Sequence, residues 1–174
     1  MTDIPKRKRT RLKDYDYSKP GAYFITICTH RKQHLFGAIQ NDAMHLSFMG
    51  KIATQEIQHL EIRYPNIRVN RYVVMPNHIH LLLTILESEG MNPFPTQRNS
   101  ISNIIGSFKA GISRKVGNAF MRSEKVPIWQ KSFHDHIIRN QNDYEKIWNY
   151  IDTNVLKWTL DCFYNENRSE KNGL

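Results

Sequence analysis

Apolar and polar positions along this chain follow two periods, and the switches between them mark the elements. Residues 22–29, Ala-Tyr-Phe-Ile-Thr-Ile-Cys-Thr, are dense in β-branched and aromatic side chains and follow the Pro20-Gly21 pair, which predicts a turn and then a first strand. Residues 30–41 are polar and read as a loop or short hairpin. Over 46–64, Ile52, Ile57, Leu60 and Ile62 recur at helical spacing, giving a first helix that stops before Pro65. Residues 67–75 form a second strand ended by Pro76, and 78–86 a third. Gly90, Pro93 and Pro95 make 87–100 a loop. Helical periodicity returns over 101–116 through Ile104, Ile105, Phe108 and Ile112, with Lys109, Arg114 and Lys115 on the other faces. A fourth strand ends over 133–139. The last helix is expected to start at Asn142, with Glu145 placed as in a capping box. Its residues Tyr144, Ile147, Trp148, Ile151, Val155 and Trp158 share one arc of roughly 100°.

The order strand, helix, strand, strand, helix, strand, helix predicts an α+β fold. The expected form is a ferredoxin-like sandwich, an antiparallel sheet with helices mainly on one face. At 174 residues the chain suits one domain with a sizeable core. The expected division is a basic N-terminal arm over 1–20, a single folded domain over 21–160, and a polar tail over 161–174. No internal repeat is visible.

Charge changes the picture next. The formal net charge is +9, which speaks of polyanionic partners and solubility, not of fold. It is concentrated early, in Lys6, Arg7, Lys8, Arg9, Arg11 and Lys13, a run expected to lie along nucleic-acid phosphates, with Lys109, Arg114 and Lys115 as further DNA-binding cations. No apolar stretch follows the arm to make a secretory signal. The longest apolar run is strand-sized, so no membrane partner is expected. Cys28 and Cys162 lack the spacing of a metal-binding pair, as suits ordinary thiols in a reduced, cytoplasmic protein.

The chemistry centres on Val73-Val74-Met75-Pro76-Asn77-His78-Ile79-His80-Leu81-Leu82-Leu83. Strand alternation puts His78 and His80 on one face and Ile79, Leu81 and Leu83 on the other. Two imidazoles so placed can hold one metal ion; the plainer alternative is a polar sheet face. His134-Asp135-His136 repeats the spacing, but His78 opens its strand straight after a Pro-Asn turn, where groups project into a cleft. His134 and His136 are expected to support the first pair from across the sheet. A third ligand and a nucleophile are sought on the last helix, where Tyr150 and Asn154, four apart, share the edge of the apolar arc. The plainer reading of Tyr150 is a boundary tyrosine with a buried ring and a wet hydroxyl. Tyr144, on the arc, and Tyr164, in the tail, are its competitors.

The string over 73–80 resembles the His-hydrophobic-His motif of the HUH single-strand endonucleases. Trp129-Gln130-Lys131-Ser132-Phe133-His134-Asp135-His136-Ile137-Ile138-Arg139-Asn140 and Tyr150-Ile151-Asp152-Thr153-Asn154 resemble the REP-associated tyrosine transposases. The likeness runs over about residues 11–158. It implies that His78 and His80 bind a divalent ion, Mg²⁺ or Mn²⁺, that Tyr150 is the nucleophile, and that Asn154 completes the metal shell. That family has proline after the asparagine where this chain has Val155, so the helix is expected to continue past Asn154.

The implied activity is metal-dependent nicking and strand transfer on single-stranded, hairpin-forming palindromic DNA through a 5′-phosphotyrosine, as in transposition and DNA recombination. A tyrosine hydroxyl with a pKa of about 10 is a poor nucleophile at neutral pH and needs an oriented phosphorus made more electrophilic. Neutral ligands suit Mg²⁺ or Mn²⁺ weakly, so DNA is expected to help hold the ion. Two other readings stand beside this one. One is a transposase-derived module that binds single-stranded nucleic acid without cutting it; the other is a phosphodiesterase that uses water and does not need Tyr150. Relatives of the insertion-sequence type work as dimers, whereas the REP-associated branch need not, so a homodimer stays open.

Overall fold

A computed structural model describes residues 15–87, 100–120 and 127–164. The arm residues Lys6, Arg7, Lys8, Arg9, Arg11 and Lys13, and most of the expected loop over 87–100, lie outside the described residues. The elements are β1 (Gly21–Cys28), β2 (Gly37–Gln40), β3 (Ala43–Leu46), α1 (Phe48–Gln58), α2 (Leu60–Arg63), β4 (Ile67–Val74), β5 (His78–Ile85), α3 (Ile101–Phe120), β6 (His134–Ile138) and α4 (Gln141–Thr153). Four strands form one antiparallel sheet in the order β4-β5-β1-β6. The first and third of its strands are thus central, which is the ferredoxin-like arrangement the element order predicts.

The two faces of that sheet do different work, and strand alternation assigns them. Tyr23, Ile25 and Ile27 of β1 and Ile79, Leu81, Leu83 and Ile85 of β5 point into the main core. There they meet Ile52, Ala53 and Ile57 of α1, Leu60 of α2, and Ile104, Ile105, Phe108 and Ile112 of α3. On the opposite face the register sets Thr26 against His80, Cys28 against His78 and Phe24 against Leu82. That face carries α4, whose Tyr150 ring stands edge-on to Phe24 at 6.0 Å between centroids. Among the described residues three helices therefore cover one face and a single helix the other.

A bulge in β4 anchors α4. The pairing with β5 shifts between Val69 and Arg71, so the inward side chains change from Ile67 and Val69 to Tyr72 and Val74. Arg71 then opposes Leu82 on the α4 face, where it pairs with Asp152 and lies over the Trp148 ring, 5.0 Å from its centroid. A strict alternation from Ile67 would have pointed Arg71 into the core.

Several boundaries differ from the sequence pattern. Leu46 belongs to β3, and α1 starts only after Ser47, whose hydroxyl accepts the Gly50 amide at 3.1 Å. Of the loop or short hairpin expected over 30–41, the structure has the hairpin, placed later in the chain as β2 and β3; its turn residues Asn41 and Asp42 have φ of 50° and 57°, the left-handed pair of a tight hairpin turn that these residue types tolerate. The α4 cap is Asn140, not Asn142: its side chain accepts the Asp143 amide at 2.9 Å. At the other end α4 stops at Thr153, despite Val155 standing where the resembling family has proline. A 3₁₀ turn over Trp158–Leu160 follows and brings the buried Trp158 ring to 5.9 Å from the His78 ring. Among the described residues no helix is long and apolar enough to cross a membrane.

Candidate active site

Neighbouring hydrogen bonds orient the two histidines of β5. The Asn77 side chain is fully buried, and its Nδ2 donates to the carbonyls of Phe163, at 2.8 Å, and Lys32, at 3.3 Å. Its Oδ1 can only accept, so His78 Nδ1–H, 2.8 Å away, donates to it. That fixes the tautomer and leaves His78 Nε2 with a lone pair aimed into the site. His80 Nδ1 lies 2.9 Å from Thr26 Oγ1 on the adjacent strand, and the two Nε2 atoms are 3.0 Å apart. Burial holds both imidazoles below their usual range, His78 to about 4. At neutral pH both are therefore uncharged, the form that can ligate a metal.

Tyr150 and Asn154 come to this pair from the sheet-facing edge of α4. The Tyr150 hydroxyl lies 3.2 Å from His80 Nε2 and donates to Asp161 Oδ2 at 2.9 Å. Burial pushes the phenol above its ordinary pKa, and the Asp161 hydrogen bond and charge push it further. Asn154 Nδ2 donates to the same Asp161 oxygen at 2.9 Å. With Nδ2 so engaged, Asn154 Oδ1 is buried without a hydrogen-bond partner. A buried acceptor left unmet costs about 1–3 kcal/mol, and a cation is one way to meet it.

The donors of His78, His80 and Asp161 lie within 4.8 Å of one another. Two imidazole nitrogens and a carboxylate make a mixed nitrogen–oxygen set that fits a divalent ion. Cys28, opposite His78 in the register, has its thiol pushed up to about 11 by burial.

The other residues singled out by sequence are placed as follows. His134 and His136 share the sheet face of His78 and His80, opposite Thr26 and Phe24. His136 pairs with Asp143 at 2.7 Å, and the His134 ring lies 6.3 Å from Phe163. Lys109 donates to the carbonyls of Gln130 and Ser132 at 2.9 and 2.8 Å. Lys115 pairs with Glu56 at 2.7 Å, while Arg114 is exposed. Tyr144 packs on Trp148 and Tyr164 on Trp158.

Five residues of the site are not singled out by the sequence pattern. Asn77 stood inside the quoted motif, and Thr26 could have been found only from strand register. Asp161 and Phe163 fall in the segment read as polar tail, yet the Phe163 ring lies 4.7 Å from the His78 ring. Lys32 adds a positive charge beside them, donating to the Cys162 carbonyl at 3.2 Å.

No family model matches the chain. A protein of Haemophilus influenzae (strain ATCC 51907 / DSM 11121 / KW20 / Rd), described only as uncharacterized, is 35% identical over 173 residues, spanning 92% of this chain and 94% of its own. Among solved structures, a REP-associated tyrosine transposase bound to a REP hairpin superposes with a TM-score of 0.54 at 24% identity, covering 85% of this chain and 73% of that one. At that identity the likeness is one of fold.

Proposed function

This chain belongs to one family with the Haemophilus influenzae protein and has the HUH tyrosine transposase-like fold, and from that premise we propose that it nicks and rejoins single-stranded DNA through Tyr150. The observation that carries this reading is the Tyr150 hydroxyl held 3.2 Å from His80 Nε2, beside a second imidazole and an orphaned amide oxygen. A purely structural role needs no such convergence of nucleophile and ligand atoms.

In the proposed reaction Tyr150 Oη attacks the scissile phosphorus. The bond to the 3′-oxygen breaks, and a 5′-phosphotyrosine and a free 3′-hydroxyl result. The phenolic proton already points at Asp161 Oδ2, the group set to take it as the new bond forms, and the departing 3′-oxygen gains a proton. Because the phosphodiester energy is kept in the tyrosine ester, a 3′-hydroxyl can reverse the step, which amounts to strand transfer. His78, His80 and Asn154 would hold the divalent ion, with Asp161 as a charged donor beside them. Once bound, Mg²⁺ or Mn²⁺ would polarise the phosphate and offset charge developing on it. The hairpin bound by the structural relative supports a hairpin-forming palindrome as substrate. The basic arm from Lys6 to Lys13, with Lys109 and Arg114, is proposed to follow its phosphates.

The test is incubation with end-labelled hairpin DNA and Mn²⁺, followed by denaturing electrophoresis. A protein-linked label is expected. Cleavage without the link would favour the water-using phosphodiesterase, and tight binding without either would favour the non-cutting module.

A further inference from the structure

Beside the site lies a cleft of about 450 Å³ that the proposed chemistry does not use, lined among others by His34, Asn41, Asp42, Pro76, Trp158 and Tyr164. Pro76 is two residues before His78. The Trp158 ring is a wall common to both sites, with centroids 5.9 Å from His78, 5.8 Å from His34 and 5.3 Å from Tyr164. A strand with a phosphate at Tyr150 therefore has this cleft within reach of a nearby nucleotide.

The lining says what it could take. Among the described residues its lining has no Lys or Arg and one carboxylate, which is the wrong charge for a phosphate. Three ring side chains with polar groups at their margins suit a flat heterocycle. His34 Nε2 is buried without a hydrogen-bond partner, and burial lowers the pKa of its ring, so an uncharged imidazole offers an unmet hydrogen-bonding atom. Asn41 and Asp42, in the left-handed turn of the hairpin, add an amide and a carboxylate to the lining. A carboxylate reads an exocyclic amino group, as acidic side chains do on cytosine N4. The volume falls within the range of small-ligand pockets, about 300–1,000 Å³, too small for a duplex.

We propose that this cleft holds one unpaired, amino-bearing nucleobase of the strand whose phosphate lies at Tyr150. The proposal rests on the single-strand reading above and adds a base-reading pocket to it. It predicts sequence preference at one position near the cut, independent of the hairpin.

The test uses the full chain and short fluorescent single strands in which one nucleotide at a time is made abasic. At a single position near the cut, losing the base should weaken binding by about ten-fold, within the range for one stacked base. In Asp42→Gly, which suits the left-handed turn, and separately in His34→Ala, that penalty should shrink to about two-fold or less while other positions keep theirs. Melting curves report whether each variant is folded, and either variant alone suffices. Penalties equal at every position, or unchanged in both folded variants, would overturn the pocket. Adduct formation without a coupled position would defeat the pocket and leave the cleavage chemistry standing. A coupled position without any adduct would do the reverse.

Discussion

Asp161 Oδ2 accepts the Tyr150 hydroxyl and the Asn154 side-chain amide, each at 2.9 Å. One carboxylate thus orients both the proposed nucleophile and a proposed ligand, turning Asn154 Oδ1 away from itself. Replacing it with the isosteric amide should have two consequences. In Asp161→Asn the Tyr150 phenol loses a negative neighbour, so its ionisation should move down, although the larger contribution, burial, remains. Affinity for Mn²⁺ should fall by roughly 10–100-fold, as when a group supporting a metal site is removed. Difference absorbance against Tyr150→Phe reads the first and calorimetry the second; an unchanged phenol would remove Asp161 from the site.

Tyr150→Phe is expected to abolish the covalent adduct and leave hairpin affinity within about two-fold. The ring packs edge-on against Phe24 and His80, and those contacts survive loss of one oxygen. Denaturing electrophoresis and anisotropy titration measure the two quantities. Adduct formation at the original rate would pass the role to another tyrosine, Tyr144 first, since it sits on the same helix.

The paired histidines should separate cleanly from the decoy pair. His78→Ala and His80→Ala should each lose Mn²⁺ binding and cleavage, while His134→Ala should bind the ion at near-normal strength. His134 is exposed on an outer strand, whereas the two Nε2 atoms of β5 face each other at 3.0 Å. Calorimetric titration with uncleavable DNA present decides, and equal loss in the His134 variant would show that the wrong pair has been chosen.

Acid should weaken the fold through the same histidines. In the unfolded chain each takes up a proton near pH ~6.5, while burial keeps folded His78 neutral to about 4 and holds His80 well below its usual range. Above pH ~6.5 both states are neutral and the full stability is present. As pH falls from there toward 4 the unfolded state gains protons the folded one refuses, and stability drops. The slope is at most about 1.4 kcal/mol per pH unit for each histidine. Urea midpoints across this window measure it, and His78→Gln should be flatter by one histidine's share. A parallel curve for that variant would mean His78 titrates normally in the fold.

Much of this site was legible because alternation is local. His78 and His80 share a face by strand geometry, and Tyr150 and Asn154 share an edge by helix geometry, whatever the rest of the chain does. The arm of the site formed by Asp161 and Phe163 was not legible. It depends on α4 ending at Thr153 and on Trp158 turning back beneath His78, a packing decision that no local period records. The β2–β3 hairpin was legible only as one of two alternatives, and its second strand was not: four residues with one face exposed are too few for a period to show, and Leu46 read as the start of the first helix. The side of the sheet on which Arg71 lies turned on one bulged residue.

Lys115 and Arg114, neighbours on α3, both read from sequence as DNA-binding cations, and their surroundings now distinguish them. Glu56 is buried with its carboxylate against Gly111, where an added Cβ would stand 2.7 Å from Oε2. Burial alone would raise its pKa, but Lys115 at 2.7 Å and Arg63 at 3.1 Å overcome that and hold it below the usual range. Lys115→Ala leaves a buried carboxylate with one partner instead of two, and should destabilise the fold by about 1–3 kcal/mol. Its effect on the salt dependence of DNA binding should be small, because its charge is largely neutralised at home. Arg114→Ala should leave stability nearly unchanged and, if Arg114 meets a phosphate, flatten the slope of log K against log salt by roughly 0.7. Chemical denaturation and titration at several salt concentrations measure both. A Lys115 variant with unchanged stability and a flattened slope would return Lys115 to the DNA-binding surface.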